Sequence, residues 1–319
     1  MKIVILERNS IGLDIPMDVY EKHGDVEYYA NTVTNEEVKE RIKDADAVIA
    51  NKAPLNAENL SGAKNVRFIG ELATGFDNID IGYCREKGIR VSNVKDYSTA
   101  MVAQHTFTLA LPLLQKLFHY DKYVKSGEYA SQDRFSNFDE AFCELDGKTW
   151  GIVGMGNIGS KVAKIAEAFG CTVITHSLTG NKNPYGYENV GKDELLERSD
   201  VLSLHCPLSD LSRNYIDEAA LKKMKNTAVL INVARGPVID TKALYDALTG
   251  GEIAAAGLDV LDKEPLEKDS PLSSIKDSNK LIITPHLSWA STEARKRLAD
   301  EVYKNFTAFL EGKERNAVC

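Results

Sequence analysis

Short, strongly apolar runs alternate with amphipathic or polar stretches along most of the chain, and this alternation narrows the possible folds more than any other feature. A first series comprises KIVIL (2–6), VEYYA (26–30), AVIAN (47–51), VRFIG (66–70) and IRVSN (89–93). A second comprises TWGIVG (149–154), TVITH (172–176), VLSLHC (201–206), AVLINVA (228–234), AAAGLDV (254–260) and LIITPH (281–286). Continuously apolar runs of this length are what strands buried on both faces require, with the intervening helices as cover. The pattern predicts an α/β protein with parallel sheets.

Three stretches depart from the alternation. Residues 99–118 are apolar almost all round, as in a helix buried on several sides, with Pro112 expected to kink it. Residues 126–148 carry Tyr129, Phe135, Phe138 and Phe142 without periodicity and read as an irregular arm. Residues 291–311 place Ala294, Leu298, Val302, Phe306 and Leu310 on one helical stripe that stops at Gly312.

Composition removes several function classes. At 319 residues the chain is about two domains long. Its net charge of -8 disfavours nucleic acid and anionic membranes as partners, and no basic patch offsets it. The opening MKIVILE lacks the features of a signal peptide and no apolar run is long enough to span a bilayer, so a cytoplasmic location is expected. The five cysteines are scattered, which argues against a disulfide framework, and no His, Cys and carboxylate cluster has metal-ligand spacing.

Gly154-Met155-Gly156-Asn157-Ile158-Gly159 fits GxGxxG at the end of a buried strand. Behind it, Ile158, Val162, Ile165, Ala166 and Phe169 repeat at helical spacing up to Gly170. In this frame the first glycine makes a tight turn, the second admits a pyrophosphate, the third lets helix and strand pack closely, and the helix N-terminus favours the phosphates. An NAD site normally ends its second strand in a carboxylate for the adenosine ribose. Here His176-Ser177 stands instead, and no acidic residue follows until Glu188, whereas Ser177, Thr179 and Lys182 could receive a 2′-phosphate. The missing negative charge favours NADP over NAD, though no Arg is present to bind the phosphate decisively.

Arg235, Glu264 and His286 follow candidate strands of the second series, at the strand ends where open α/β sheets hold their ligands. A 2-oxo acid needs a fork of donors, a proton donor at the carbonyl oxygen and a group that keeps that donor charged, which Arg, His and Glu supply. Each alone has an ordinary explanation: a surface ion pair, a loop cap, a turn histidine.

The motifs GMGNIG, NVARGPVID, GLDVLDKEPL and TPHLSWAS, in this order after an alternating N-terminal region, resemble the D-isomer-specific 2-hydroxyacid dehydrogenase family over essentially the whole chain. ATGFDNID (73–80), GIRVSNVKDYST (88–99), VAQHTFTLAL (102–111) and Trp289 resemble its glycerate dehydrogenase or hydroxypyruvate reductase branch. The resemblance implies that Arg235 binds the substrate carboxylate and polarises its carbonyl, that Glu264 pairs with His286, and that His286 is general acid and base. It implies that Asp259 bonds the nicotinamide carboxamide, with Ala234, Cys206 and Pro207 beside the cofactor. It also implies that Ala73, Thr74 and Gly75 offer backbone N–H groups to the substrate, with Asn51 or Lys52 and Trp289 nearby. Gln104 and Ser177 stand where the family often has carboxylates.

The implied architecture is two doubly wound parallel-sheet domains: a flavodoxin-like substrate domain (1–97 plus 290–319) and a Rossmann NAD(P)-binding domain (98–289), joined by hinge segments near Tyr97 and Leu287. The implied reaction is hydride transfer between NAD(P)H and C2 of a small 2-oxo acid, first hydroxypyruvate or glyoxylate, giving a D-2-hydroxy acid. The apolar helix from residue 99 and the aromatic arm point to a homodimer. The competing expectation is a non-catalytic dinucleotide-sensing protein on the same fold.

Overall fold

A computed structural model describes residues 1–181 and 183–319. The chain divides into two units, Met1–Ser98 with Ala290–Cys319, and Thr99–Trp289. In the first unit, β1 (Lys2–Ile5), β2 (Asp25–Tyr28), β3 (Ala47–Ala50), β4 (Phe68–Glu71) and β5 (Arg90–Ser92) pair in parallel in the order β2-β1-β3-β4-β5. This is the flavodoxin-like order. Every residue of β3 and β4 is buried, so these strands need apolar cover on both faces. The helix Thr292–Leu310, whose first turn is capped by the Ser291 hydroxyl, returns from the far end of the chain to supply part of it. Its Phe306 and Phe309 rings lie 5.6 and 5.1 Å from Phe68.

The second unit holds β6 (Thr149–Val153), β7 (Thr172–His176), β8 (Glu188–Asn189), β9 (Val201–Leu204), β10 (Val229–Asn232), β11 (Ala255–Leu258) and β12 (Leu281–Ile283). They pair in parallel in the order β12-β11-β10-β9-β6-β7-β8. Strand order reverses between β6 and β9, and such a switch point opens a crevice at the carboxyl ends of the strands, as in the Rossmann fold. One face of the sheet packs under the helix Thr99–Leu114, where Phe107 lies 4.6 Å from the fully buried Trp150. The Trp150 indole N–H donates to Ser203 Oγ at 2.9 Å, which explains a hydroxyl within an otherwise apolar strand.

Two expectations need correction. The helix from residue 99 ends at Leu114 rather than 118: Lys116 is left-handed (φ 53°), and a separate helix runs over Leu117–Lys125. Pro112 cannot donate to the carbonyl one turn back and its ring crowds that carbonyl, so the helix ends within a turn of it. The strand β8 was not anticipated: it is two exposed polar residues and has no apolar pattern to detect. The 126–148 stretch is irregular apart from the short helix Glu128–Ser131, and Phe135 and Phe138 are 92% and 76% exposed. No helix among the described residues is long and apolar enough to cross a membrane.

Candidate active site

The glycine turn follows β6. Gly154 has φ 93°, and a Cβ there would lie 2.9 Å from the backbone of His205 and Cys206, so a side chain is excluded both sterically and conformationally. A Cβ on Gly159 would lie 2.2 Å from the Gly154 carbonyl oxygen, which is the close helix–strand contact expected of the third glycine. Gly156 is exposed and nothing lies within 4 Å of where its Cβ would be. It is also the N-cap of the helix Asn157–Ala168 and brings no side chain to cap the first turn. An open backbone approach to a helix N-terminus fits a pyrophosphate.

Beside this turn lies a cleft of about 290 Å³ lined by Gly154, Met155, Ser177, Thr179, Cys206 and Pro207, among others. Burial pushes the Cys206 thiol up to about 11, so it is neutral lining. No carboxylate lines the cleft among the described residues. Glu188, the next acid along the chain, is held by both terminal nitrogens of Arg198 at 2.9 and 3.0 Å. Lys182, the third residue expected near a 2′-phosphate, lies outside the described residues. These groups fit a nicotinamide dinucleotide.

The three candidate reactive side chains leave β10, β11 and β12 in turn. Asn232, fully buried at the end of β10, accepts from the Ala234 amide (3.0 Å) and donates to the Arg235 carbonyl (2.9 Å), fixing the loop that carries Arg235. The guanidinium is half-buried and donates to the Ala234 carbonyl at 2.8 Å. No carboxylate pairs with Arg235 among the described residues. Behind it, Gly236 packs so tightly that its Cβ would overlap the Leu261 carbonyl group. The Leu261 amide in turn donates to Glu264 Oε1 at 3.0 Å. Glu264 Oε2 accepts from His286 Nδ1 at 2.7 Å.

A carboxylate can only accept, so His286 carries a proton on Nδ1 and presents Nε2 outward. The imidazole is 27% exposed, and Nε2 has no partner among the described residues. His286 has φ 55°, a conformation disfavoured for a side-chain-bearing residue, and its amide donates to the carbonyls of Asp259 and Thr284.

Asp259, expected beside the nicotinamide carboxamide, is held within the protein by its own partners. It is 1% exposed and accepts from Thr284 Oγ1 (2.6 Å) and the amides of Leu287 (2.7 Å) and Ser288 (2.8 Å). Burial opposes its ionisation, but hydrogen bonds from His105, Ser288 and Thr284 hold its carboxyl below the ordinary aspartate range. It anchors the loop that carries His286 and Trp289, the latter half-buried.

In the first unit, the loops after β3 and β4 lie side by side, joined by Leu72 N to Ala50 O at 2.7 Å. The buried Glu7 carboxylate accepts from the amides of Asn51, Lys52 and Ala53, while the Lys52 side chain is exposed. Thr74 is exposed and its hydroxyl donates to the Val94 carbonyl. The amides of Ala73, Thr74 and Gly75 meet no acceptor among the described residues, so three consecutive donors are available to an anion. Glu7 and Asn232 were not singled out from the sequence, since neither belongs to a motif that spacing can reveal.

Comparison with known proteins gives a consistent result. The profile described as "D-isomer specific 2-hydroxyacid dehydrogenase, NAD binding domain" matches residues 107–288. A hydroxypyruvate reductase of Blautia hydrogenotrophica is 40% identical, the match covering 100% of this chain and 99% of that protein. A glycerate dehydrogenase of Methylorubrum extorquens is 36% identical over 99% and 98% of the two chains. Among solved structures, D-lactate dehydrogenase from Aquifex aeolicus complexed with NAD and lactic acid superposes with a TM-score of 0.85 at 30% identity, over 98% of this chain and 96% of that one.

Proposed function

The chain belongs to the D-isomer-specific 2-hydroxyacid dehydrogenase family, and from that membership we propose how its residues reduce a small 2-oxo acid to the D-2-hydroxy acid. A bound reduced nicotinamide dinucleotide supplies the hydride. Arg235, with no carboxylate partner among the described residues, takes the substrate carboxylate and polarises the 2-oxo group, stabilising negative charge as it develops on oxygen. His286 delivers a proton from Nε2 to that oxygen, while Glu264 holds Nδ1–H and balances the imidazolium. The unit Thr99–Trp289 serves as the cofactor domain and the unit containing β1–β5 as the substrate domain, and within the latter the Ala73–Gly75 amides, which meet no acceptor among the described residues, are free to donate to an anion.

The Glu264–His286 bond with its outward Nε2 carries this reading. Hydroxypyruvate and glyoxylate are the first substrates to try, in keeping with the named activities of the relatives. NADP is the favoured cofactor, since no acidic side chain lines the cleft beside Ser177 and Thr179 among the described residues. A homodimer is supported by the exposed Phe135 and Phe138 and by an apolar groove along the helix Thr99–Leu114, lined by Phe107, Leu111, Pro112, Ile165 and Phe169. A sedimentation mass equal to one chain would refute the dimer.

The decisive experiment follows NADH and NADPH oxidation against a panel of 2-oxo acids. Turnover with the smallest members is expected. Dinucleotide binding without turnover on any member would sink the enzyme and leave the dinucleotide-sensing alternative.

A further inference from the structure

His105 lies on the helix Thr99–Leu114 and is only 6% exposed, yet it belongs to none of the groups assigned above. Its Nε2 stands 2.9 Å from Thr284 Oγ1 and 3.5 Å from Asp259 Oδ1. Proton accounting settles the direction of these contacts. The Thr284 hydroxyl has one hydrogen, and it goes to Asp259 Oδ1 at 2.6 Å. The Thr284 oxygen can therefore only accept from His105, and the carboxylate also only accepts, so His105 carries its proton on Nε2.

The group it completes is a clamp. Through its carboxylate Asp259 holds the amides of Leu287 and Ser288, and through its backbone carbonyl it holds the amide of His286. The residue so held sits in the left-handed region that favours glycine, and a conformation of that kind persists only where its surroundings impose it. The direction in which Nε2 of His286 points is fixed by Glu264 on one side and by this clamp on the other.

We propose that His105 is a positioning residue for the reaction: its Nε2–H, through Thr284 and Asp259, holds the 284–288 loop so that the His286 imidazole is aimed at the substrate oxygen. The inference rests on the role assigned to His286 above. It predicts a defect in proton delivery rather than in binding, because no atom of His105 belongs to the cofactor cleft or to the candidate carboxylate donors.

The test compares His105→Leu, which keeps bulk and loses the donor, with His105→Gln, which restores an N–H at a similar reach. His105→Leu is expected to lower kcat at least about tenfold, with KM for the 2-oxo acid and the dinucleotide dissociation constant both within about threefold of wild type. The solvent deuterium isotope effect on kcat should rise as proton transfer becomes slower. His105→Gln should recover most of the loss. If His105→Leu does not fold, Thr284→Val breaks the same relay from the loop side and should reproduce the defect. Where both variants fold, the double variant should be no worse than the poorer single one. Unchanged kcat in the Leu and Val variants would overturn the proposal, as would equal losses in His105→Leu and His105→Gln that merely follow melting temperature. These outcomes are distinct from failure of the function itself, which would show as a wild-type protein inactive on every 2-oxo acid.

Discussion

Replacing Gly236 with Ala tests whether the Arg235 loop and the Glu264 loop form one rigid unit. The new Cβ would stand 1.8 Å from the Leu261 carbonyl carbon, 1.9 Å from its oxygen and 2.3 Å from the Asp262 nitrogen. All three atoms are backbone, so no rotamer change relieves the overlap, and the strand-end loop must retreat by roughly an ångström or more. The conformation of Gly236 is not left-handed, so the obstacle is contact alone. Overpacking of this kind costs about 1–3 kcal/mol of stability. Its effect on turnover should be larger. Leu261 N holds Glu264 Oε1, and Glu264 Oε2 holds His286, so the displacement reaches the imidazole in two bonds. A misplacement of about 1 Å can cost on the order of a hundredfold in rate. The assay is steady-state 2-oxo acid reduction beside urea denaturation, with Gly250→Ala as control. That residue ends the helix Thr241–Gly250 with nothing within 4 Å of its Cβ, and its substitution should be neutral or stabilising by up to about 1 kcal/mol. A folded Gly236→Ala enzyme within about threefold of wild-type kcat would refute the coupling of the two loops.

Three other perturbations are informative. His286→Ala should lose about 10² to 10⁴ in kcat while still binding the dinucleotide, which fluorescence titration can establish; full turnover would remove its assignment. Ser177→Asp places a carboxylate where a 2′-phosphate is expected, so KM for NADPH should rise about tenfold or more relative to NADH, and an unchanged ratio would end the NADP reading. Glu71 is fully buried, with no partner for Oε1 among the described residues and Asn78 at 3.5 Å from Oε2, and burial raises its carboxyl well above the ordinary glutamate range. In the unfolded chain this group loses its proton near ~4.3, whereas the folded protein retains it, so its contribution to stability is complete in acid and is lost as pH climbs through the folded value. Glu71→Gln should therefore gain on wild type as pH rises; parallel urea midpoints across the series would show that Glu71 is not held neutral.

Legibility in the sequence followed burial. Strands such as β6, β9 and β10 are almost wholly apolar runs, every interior residue of which is inaccessible, so composition marks them. The edge strand β8 and the break at Lys116 carry no such mark, because one is polar on both faces and the other turns on a single backbone angle. The site divides in the same way. Arg235, Glu264 and His286 stand out because charged residues at buried strand ends need an explanation. Glu7 clamps amides 44 to 46 residues away, and His105 meets Thr284 across 179 residues. Partnerships at such separation exist only once the sheet has formed, and local pattern says nothing of them. The bonds from Thr284, Leu287 and Ser288 to Asp259 belong to the same class.

Seen along the order β12-β11-β10-β9-β6-β7-β8, the second sheet keeps its trades apart. His286, Glu264 and Arg235, the proposed acid–base group, stem from the outer three strands of one wing, whereas the glycine turn and the cleft beside Ser177, the proposed dinucleotide seat, stem from β6, β7 and β9. If the proposed roles hold, substitutions at the tip of β7 would alter which coenzyme is taken and leave the acid–base group in place. In a sheet divided this way, coenzyme choice and proton transfer would be open to separate adjustment.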